Sequence, residues 1–99
     1  MVIMYKSINI KEINNIDINS NNILIDIREK YEYILGNINN SINIPYNYLM
    51  ILPEEYLSKN KKYYIYCESG TASRKLCLHL TNLGYDVVDL VGGYKDYIV

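Results

Sequence analysis

The segment Tyr63-Tyr64-Ile65-Tyr66 restricts this chain more than any other, because it is apolar at every position rather than at alternate ones. A strand of that kind is buried on both faces, as happens when helices cover both sides of a parallel sheet. A polar loop, Cys67 to Ser73, follows it, and then a stripe of Leu76, Leu80 and Leu83 with Gly84 just past its end. That spacing predicts a helix opening near Ser73 and running over Lys75 to Leu83. The same alternation recurs along the chain. Strands are expected over Met4 to Ile8, Ile23 to Ile25, Ser41 to Ile44 (stopped by Pro45) and Tyr85 to Leu90. Between them lie a helical segment with Ile10, Ile13 and Ile16 on one face behind the cap residue Asn9, and a short helix from Lys30 to Leu35 that Gly36 ends. One or two helical turns fall over Tyr46 to Ser58, broken by Pro53, and a last turn covers Tyr94 to Ile98. This order predicts an α/β domain with a mostly parallel sheet and right-handed crossovers.

At 99 residues the chain is read as a single domain, 1–99. Ten Lys and Arg against eleven Asp and Glu leave a net charge of −1, which lacks the basic footprint that drives nucleic-acid binding. No apolar run exceeds five residues, as in Tyr48 to Leu52, so no membrane span is expected. The start, Met1 to Lys6, lacks the charged and long apolar regions of a signal peptide, and the expectation is a soluble cytoplasmic protein. Twelve Tyr accompany no Phe and no Trp. Tyrosine is therefore expected to fill core and sheet positions, with hydroxyls reaching the surface. The Asn pairs at 14–15, 21–22 and 39–40 read as turn residues. Two cysteines, Cys67 and Cys77, are too few for a disulfide framework.

The chemistry is concentrated in Cys67-Glu68-Ser69-Gly70-Thr71-Ala72-Ser73-Arg74. A cysteine directly after a buried strand, followed by small polar residues and a helix start, lies at the carboxyl end of the sheet, where open α/β folds bind ligands. Loop amides joined to a helix N-terminus form a cradle for an anion, and they stabilise a thiolate or an anionic adduct on the sulfur. Gly70 lets the amides curl inward, while Thr71 and Ser73 add hydroxyl donors. A cysteine at a strand end is often only a packing residue. Its position before this loop instead favours a nucleophile that handles a small anion.

Three stretches, in order and at normal separation, resemble the rhodanese family in its single-domain form. They are Leu24 to Glu29 continuing through Glu32-Tyr33, Gly36, Ile38 and Ile42 to Pro45; Cys67 to Gly70 with Ser73; and Leu83 to Tyr85 with Leu90 to Tyr94. The resemblance implies a rhodanese-like α/β fold, a central five-stranded parallel sheet with helices on both faces. It implies a sulfurtransferase in which Cys67 carries the sulfur and Glu68, Ser69, Gly70, Thr71, Ala72 and Ser73 hold the substrate. The implied partners are a small sulfur-containing anion or persulfide donor and a thiol or protein acceptor, with no metal or organic cofactor. Two departures remove positive charge from this region: Ala72 stands where the family often has arginine, and Glu68 where a neutral or basic residue is common. Weak thiosulfate use and a preference for a persulfide or protein-borne donor follow. Asn37 and Tyr97, in place of the family's histidine and tryptophan, are read as structural.

Asp26 and Arg28 are placed on the same rim as Cys67, with Arg28 pairing with Glu29 or Glu32 and Asp26 bonding loop amides. Arg74 and Lys75 offer cations after the loop. Cys77 reads as core, His79 as solvated surface, and Tyr46, Tyr48 and Tyr94 as edges of the mouth. Phosphatase or arsenate-reductase chemistry is disfavoured because six residues separate Cys67 from Arg74, one more than in phosphatases with a cysteine loop closed by arginine. A sulfur-relay carrier and a non-catalytic binding module remain as alternatives.

Overall fold

A computed structural model describes residues 4–99. Met1 to Ile3 of the N-terminal segment considered above lie outside the described residues. Five strands form one all-parallel sheet: β1 (Lys6–Asn9), β2 (Asn22–Asp26), β3 (Ser41–Asn43), β4 (Lys62–Tyr66) and β5 (Asp86–Val91), in the order β1-β5-β4-β2-β3. β4 is the middle strand, and Tyr63 to Tyr66 are all buried. The helices are α1 (Lys30–Leu35), α2 (Tyr46–Ile51), α3 (Thr71–Asn82) and α4 (Gly93–Tyr97), with 3-10 turns at Ile10–Asn15 and Pro53–Glu55.

Strand alternation sorts the core into two halves. Ile25, Ile27, Tyr63, Ile65, Cys67 and Val87 pack with Leu49 of α2 and with Leu76, Cys77 and Leu80 of α3. Leu24, Tyr64, Tyr66, Val88 and Leu90 face the other way, onto Ile10 and Ile13 of the first turn and Tyr94 and Tyr97 of α4. Cys67 extends the α3-facing series 63, 65, so its side chain points under the N-terminus of α3.

Several boundaries differ from the sequence reading. α3 opens at Thr71, not near Ser73, because Gly70 takes a left-handed conformation (φ 96°) and turns the chain into the helix early. The loop is thus shortened to Cys67–Gly70, and Thr71 to Ser73 form the helix's first turn. Leu83 is the exposed cap residue rather than part of the buried stripe. β1 begins at Lys6, where pairing with Val88 of β5 starts. The segment after Asn9 is a 3-10 turn, closed by Asn9 accepting from the Lys11 amide at 2.9 Å and by the reciprocal Glu12 bond. Tyrosine is used more broadly than expected. Tyr31, Tyr48 and Tyr56 are exposed, while the Tyr66 hydroxyl is buried, accepts from the Ile38 amide at 3.1 Å and contacts Ser41 Oγ at 3.1 Å. Burial pushes the Tyr66 phenol well above its ordinary range, so it remains a neutral strut. His79 is half-buried rather than fully solvated.

Candidate active site

The site is built where β4 ends and α3 begins. Cys67 Sγ accepts from the Gly70 amide at 3.1 Å and from the Ser73 amide at 3.3 Å, and its thiol donates to Ser73 Oγ at 3.5 Å. The residue is 5% exposed, so its sulfur is enclosed by backbone donors rather than water. The amides face it because the loop's carbonyls are held on the other side. Tyr94 N–H donates to the Cys67 carbonyl at 2.8 Å and Lys95 N–H to the Glu68 carbonyl at 3.1 Å. This clamp requires a glycine: a Cβ on Gly93 (φ 73°) would lie 2.8 Å from the Cys67 carbonyl oxygen and closer still to that of Glu68.

Cys67 opens onto a cleft of about 790 Å³. Glu68, Ser69, Thr71 and Ala72 line it from the loop and first helical turn, with Ile27, Pro45, Tyr46 and Tyr48 on the apolar side. Gly70 and Ser73 do not line it; they act on the sulfur through their amides. Three carboxylates, Glu29, Glu32 and Glu68, stand around the cleft against Lys75 and Arg28. Arg74 points elsewhere, into a separate pocket beside Asp89. Tyr94 lies beneath Arg28 rather than at the mouth, whereas Tyr46 and Tyr48 border it.

Arg28 is not a free anion receptor. Its guanidinium grips Asp26 through Nε at 3.1 Å and Nη2 at 2.8 Å, donates to the Gly36 carbonyl at 2.6 Å, and rests 4.1 Å over the Tyr94 ring. The remaining arm reaches Glu68 Oε1 at 3.2 Å. Its partners are therefore Asp26 and Glu68, not Glu29 or Glu32 as the sequence suggested. Neighbouring Asp26 also accepts from the Arg28 amide at 2.8 Å, closing the β2 end. Burial alone would lower the guanidinium's pKa, but Asp26 and then Glu68 outweigh that and hold it above its ordinary value. The pair ties the β2 end to the cysteine loop.

Cys77 is fully buried on α3, and burial, reinforced by Asp89 and Cys67, pushes its thiol well up. It packs in the core between the sheet and α3. Asp89 on β5 was not singled out from the sequence. It is 2% exposed and accepts from Ser73 Oγ at 2.6 Å, directly behind the cysteine. The signal for it is present in Val87-Val88-Asp89-Leu90, a charged residue inside an otherwise apolar, two-sidedly buried strand. Among the described residues no group of three or more His, Cys, Asp or Glu is arranged to hold a metal ion. No helix among them is long and apolar enough to cross a membrane.

The description "Rhodanese-like domain" matches residues 9–98. The chain belongs to the rhodanese-like family. Its fold superposes on the crystal structure of a rhodanese-related protein from Thermoplasma volcanium with a TM-score of 0.81 and 37% identity, covering 95% of this chain and 91% of that one. Among curated proteins it is 37% identical over 75 residues to the adenylyltransferase and sulfurtransferase uba4 of Ogataea parapolymorpha, covering 75% of this chain and 19% of that protein. It is 35% identical over 72 residues to a sulfurtransferase of Allochromatium vinosum, covering 72% of this chain and 66% of that protein. The chain spans only 19% and 30% of the length of the first two curated relatives it matches. The five-stranded parallel sheet with helices on both faces is the rhodanese fold, and both curated relatives described above carry the name sulfurtransferase.

Proposed function

We propose that this protein transfers a sulfane sulfur through a persulfide on Cys67, from thiosulfate or a persulfide donor to a thiol or other thiophilic acceptor. The observation that carries the reading is the pair of amides, Gly70 and Ser73, aimed at a sulfur at the floor of an open cleft. In the first half-reaction the Cys67 sulfur attacks the donor's outer sulfur. A new S–S bond forms, the donor's S–S bond breaks, and the leaving sulfite or thiolate departs with the electron pair. In the second, an acceptor nucleophile takes the outer sulfur and Cys67 leaves as a thiolate, which the two amides receive. Glu68, Ser69, Thr71 and Ala72 form the surface against which donor and acceptor sit.

The balance of charge at the mouth supports a preference among donors. Three carboxylates surround the cleft, Arg28 is already paired, and Lys75 is the cation left to meet a dianion. An organic or protein-borne persulfide, with less charge and more apolar surface, suits the Ile27, Pro45, Tyr46 and Tyr48 wall better than thiosulfate does. This also supports a sulfur-relay role as the second reading. Intact-protein mass after incubation with thiosulfate and with an organic persulfide tests both. The expected result is a gain of one sulfur atom by the native protein and by Cys77→Ala, and none by Cys67→Ser. Absence of uptake from either donor by the native protein would refute the proposal.

A further inference from the structure

We propose that Asp89, acting through the Ser73 hydroxyl, is the proton acceptor that readies Cys67 for attack. The inference deepens the persulfide reading and rests on Cys67 being the nucleophile.

The three groups form a line. The Cys67 thiol donates to Ser73 Oγ at 3.5 Å, and Ser73 Oγ donates to Asp89 Oδ1 at 2.6 Å. Ser73 has one proton to give. Its other acceptor, the Gly70 carbonyl, lies at 3.2 Å, so the shorter bond to Asp89 takes it and leaves a lone pair turned to the thiol. All three residues are buried, with Ser73 at 0% and Asp89 at 2% exposure, and no water is needed between them.

The step balances. As the Cys67 S–H bond breaks, its proton passes to Ser73 Oγ, the Ser73 proton passes to Asp89, and the carboxylate becomes a neutral acid. The sulfur keeps the electron pair and is held by the Gly70 and Ser73 amides, which donate to it independently of the hydroxyl. When Cys67 is released as a thiolate after sulfur transfer, the proton returns along the same path. Nothing is oxidised or reduced in the relay.

The surroundings suit a carboxyl that changes state. Burial raises the pKa of Asp89, while the Ser73 bond and the Arg74 charge oppose this only in part. A neutral acid is therefore a low-cost product of the transfer. The charged and titratable groups around it are Arg74 and Cys77 from α3, Cys67 at the end of β4, and Tyr5, which precedes β1 and borders the same small pocket. That pocket, of about 310 Å³, adjoins the substrate cleft across Ser69 and Thr71 but reaches Asp89 from the Arg74 and Gly92 side. Protons can thus equilibrate with solvent from behind, without crossing the bound donor.

Alkylation of Cys67 by iodoacetamide tests this without any sulfur donor, so its outcome is independent of whether sulfur uptake succeeds. In the native protein the rate should fall on the acid side with the titration of a carboxyl, in addition to the thiol's own dependence. Asp89→Asn should slow alkylation at neutral pH by about a hundredfold, the low end of general-base effects, and abolish the carboxyl limb. Ser73→Ala, which leaves Asp89 in place, should do the same. A native profile with the thiol titration alone would overturn the proposal whatever the variants do. So would a folded variant of either residue, judged by circular dichroism, that reacts at the native rate with the native profile.

Discussion

Two carboxylates are buried under this site, and they are held by opposite means. Asp26 is neutralised by Arg28, whose side chain is 5% exposed and fully occupied. Removing one partner leaves the other charge uncompensated, which is far more costly than never having had the pair. Arg28→Ala should therefore lower stability by about 3–5 kcal/mol in urea unfolding, and a loss under 1 kcal/mol, about the value of an exposed pair, would show the pair to be solvated. Asp89 has only a hydroxyl for company and Arg74 at the pocket edge. Its pKa is raised by burial, so the folded state binds its proton more tightly than the unfolded chain does. Stability from this group is then greatest in acid and is lost as pH rises from the unfolded carboxyl range through the folded value. Asp89→Asn should accordingly melt higher than the native protein at neutral pH, with the difference shrinking in acid. A melting temperature that falls at neutral pH would place Asp89 among the stabilising residues instead.

At the scale of elements, the cysteine loop depends on a helix that does not line the cleft. The first amides of α4, Tyr94 and Lys95, hold the Cys67 and Glu68 carbonyls, and only then do the Gly70 and Ser73 amides meet the sulfur. Gly93→Ala should break that arrangement. The left-handed backbone costs about 1–2 kcal/mol for a residue with a side chain, and the new methyl meets two carbonyl oxygens. Sulfur uptake should fall more steeply than the melting temperature, because the loop moves before the sheet does. Equal losses in both would indicate general unfolding. The sequence made much of this layer readable. The apolar run of β4, the Gly70 turn and the leucine stripe of α3 each follow from local pattern, and together they place Cys67 at the carboxyl edge of the sheet. What local pattern misses is set by contacts between distant segments. The partners of Arg28 are two and forty residues away, the Gly92-Gly93 turn is legible as a turn but not as a clamp, and Asp89 becomes meaningful only once β5 lies beside β4. The early start of α3 belongs to the same class, since Gly70 in a left-handed conformation begins the helix where small polar residues look like loop.

Across the whole molecule the charges nearly cancel, but the cleft does not share that neutrality. Glu29 and Glu32 from the α1 side and Glu68 from the loop converge on one opening, while Arg74 faces the other pocket. A small dianion approaching Cys67 therefore meets a locally repulsive field despite the balanced chain, and a persulfide, with at most one charge, meets a weaker one. Mobile ions screen such fields over about 8–10 Å near physiological ionic strength. The second-order rate constant for sulfur uptake from thiosulfate should rise as inert salt is added, and that for an organic persulfide, at most singly charged, should rise less steeply. Glu68→Ser and Ala72→Arg should each raise the thiosulfate rate at low salt by several-fold and flatten its salt dependence. The two variants approach the question from opposite sides, one deleting a negative charge and one adding a positive charge on the helix's first turn. A thiosulfate rate that falls with salt in the native protein would mean that Lys75 dominates the approach, and the acidic rim would then have no part in choosing the donor.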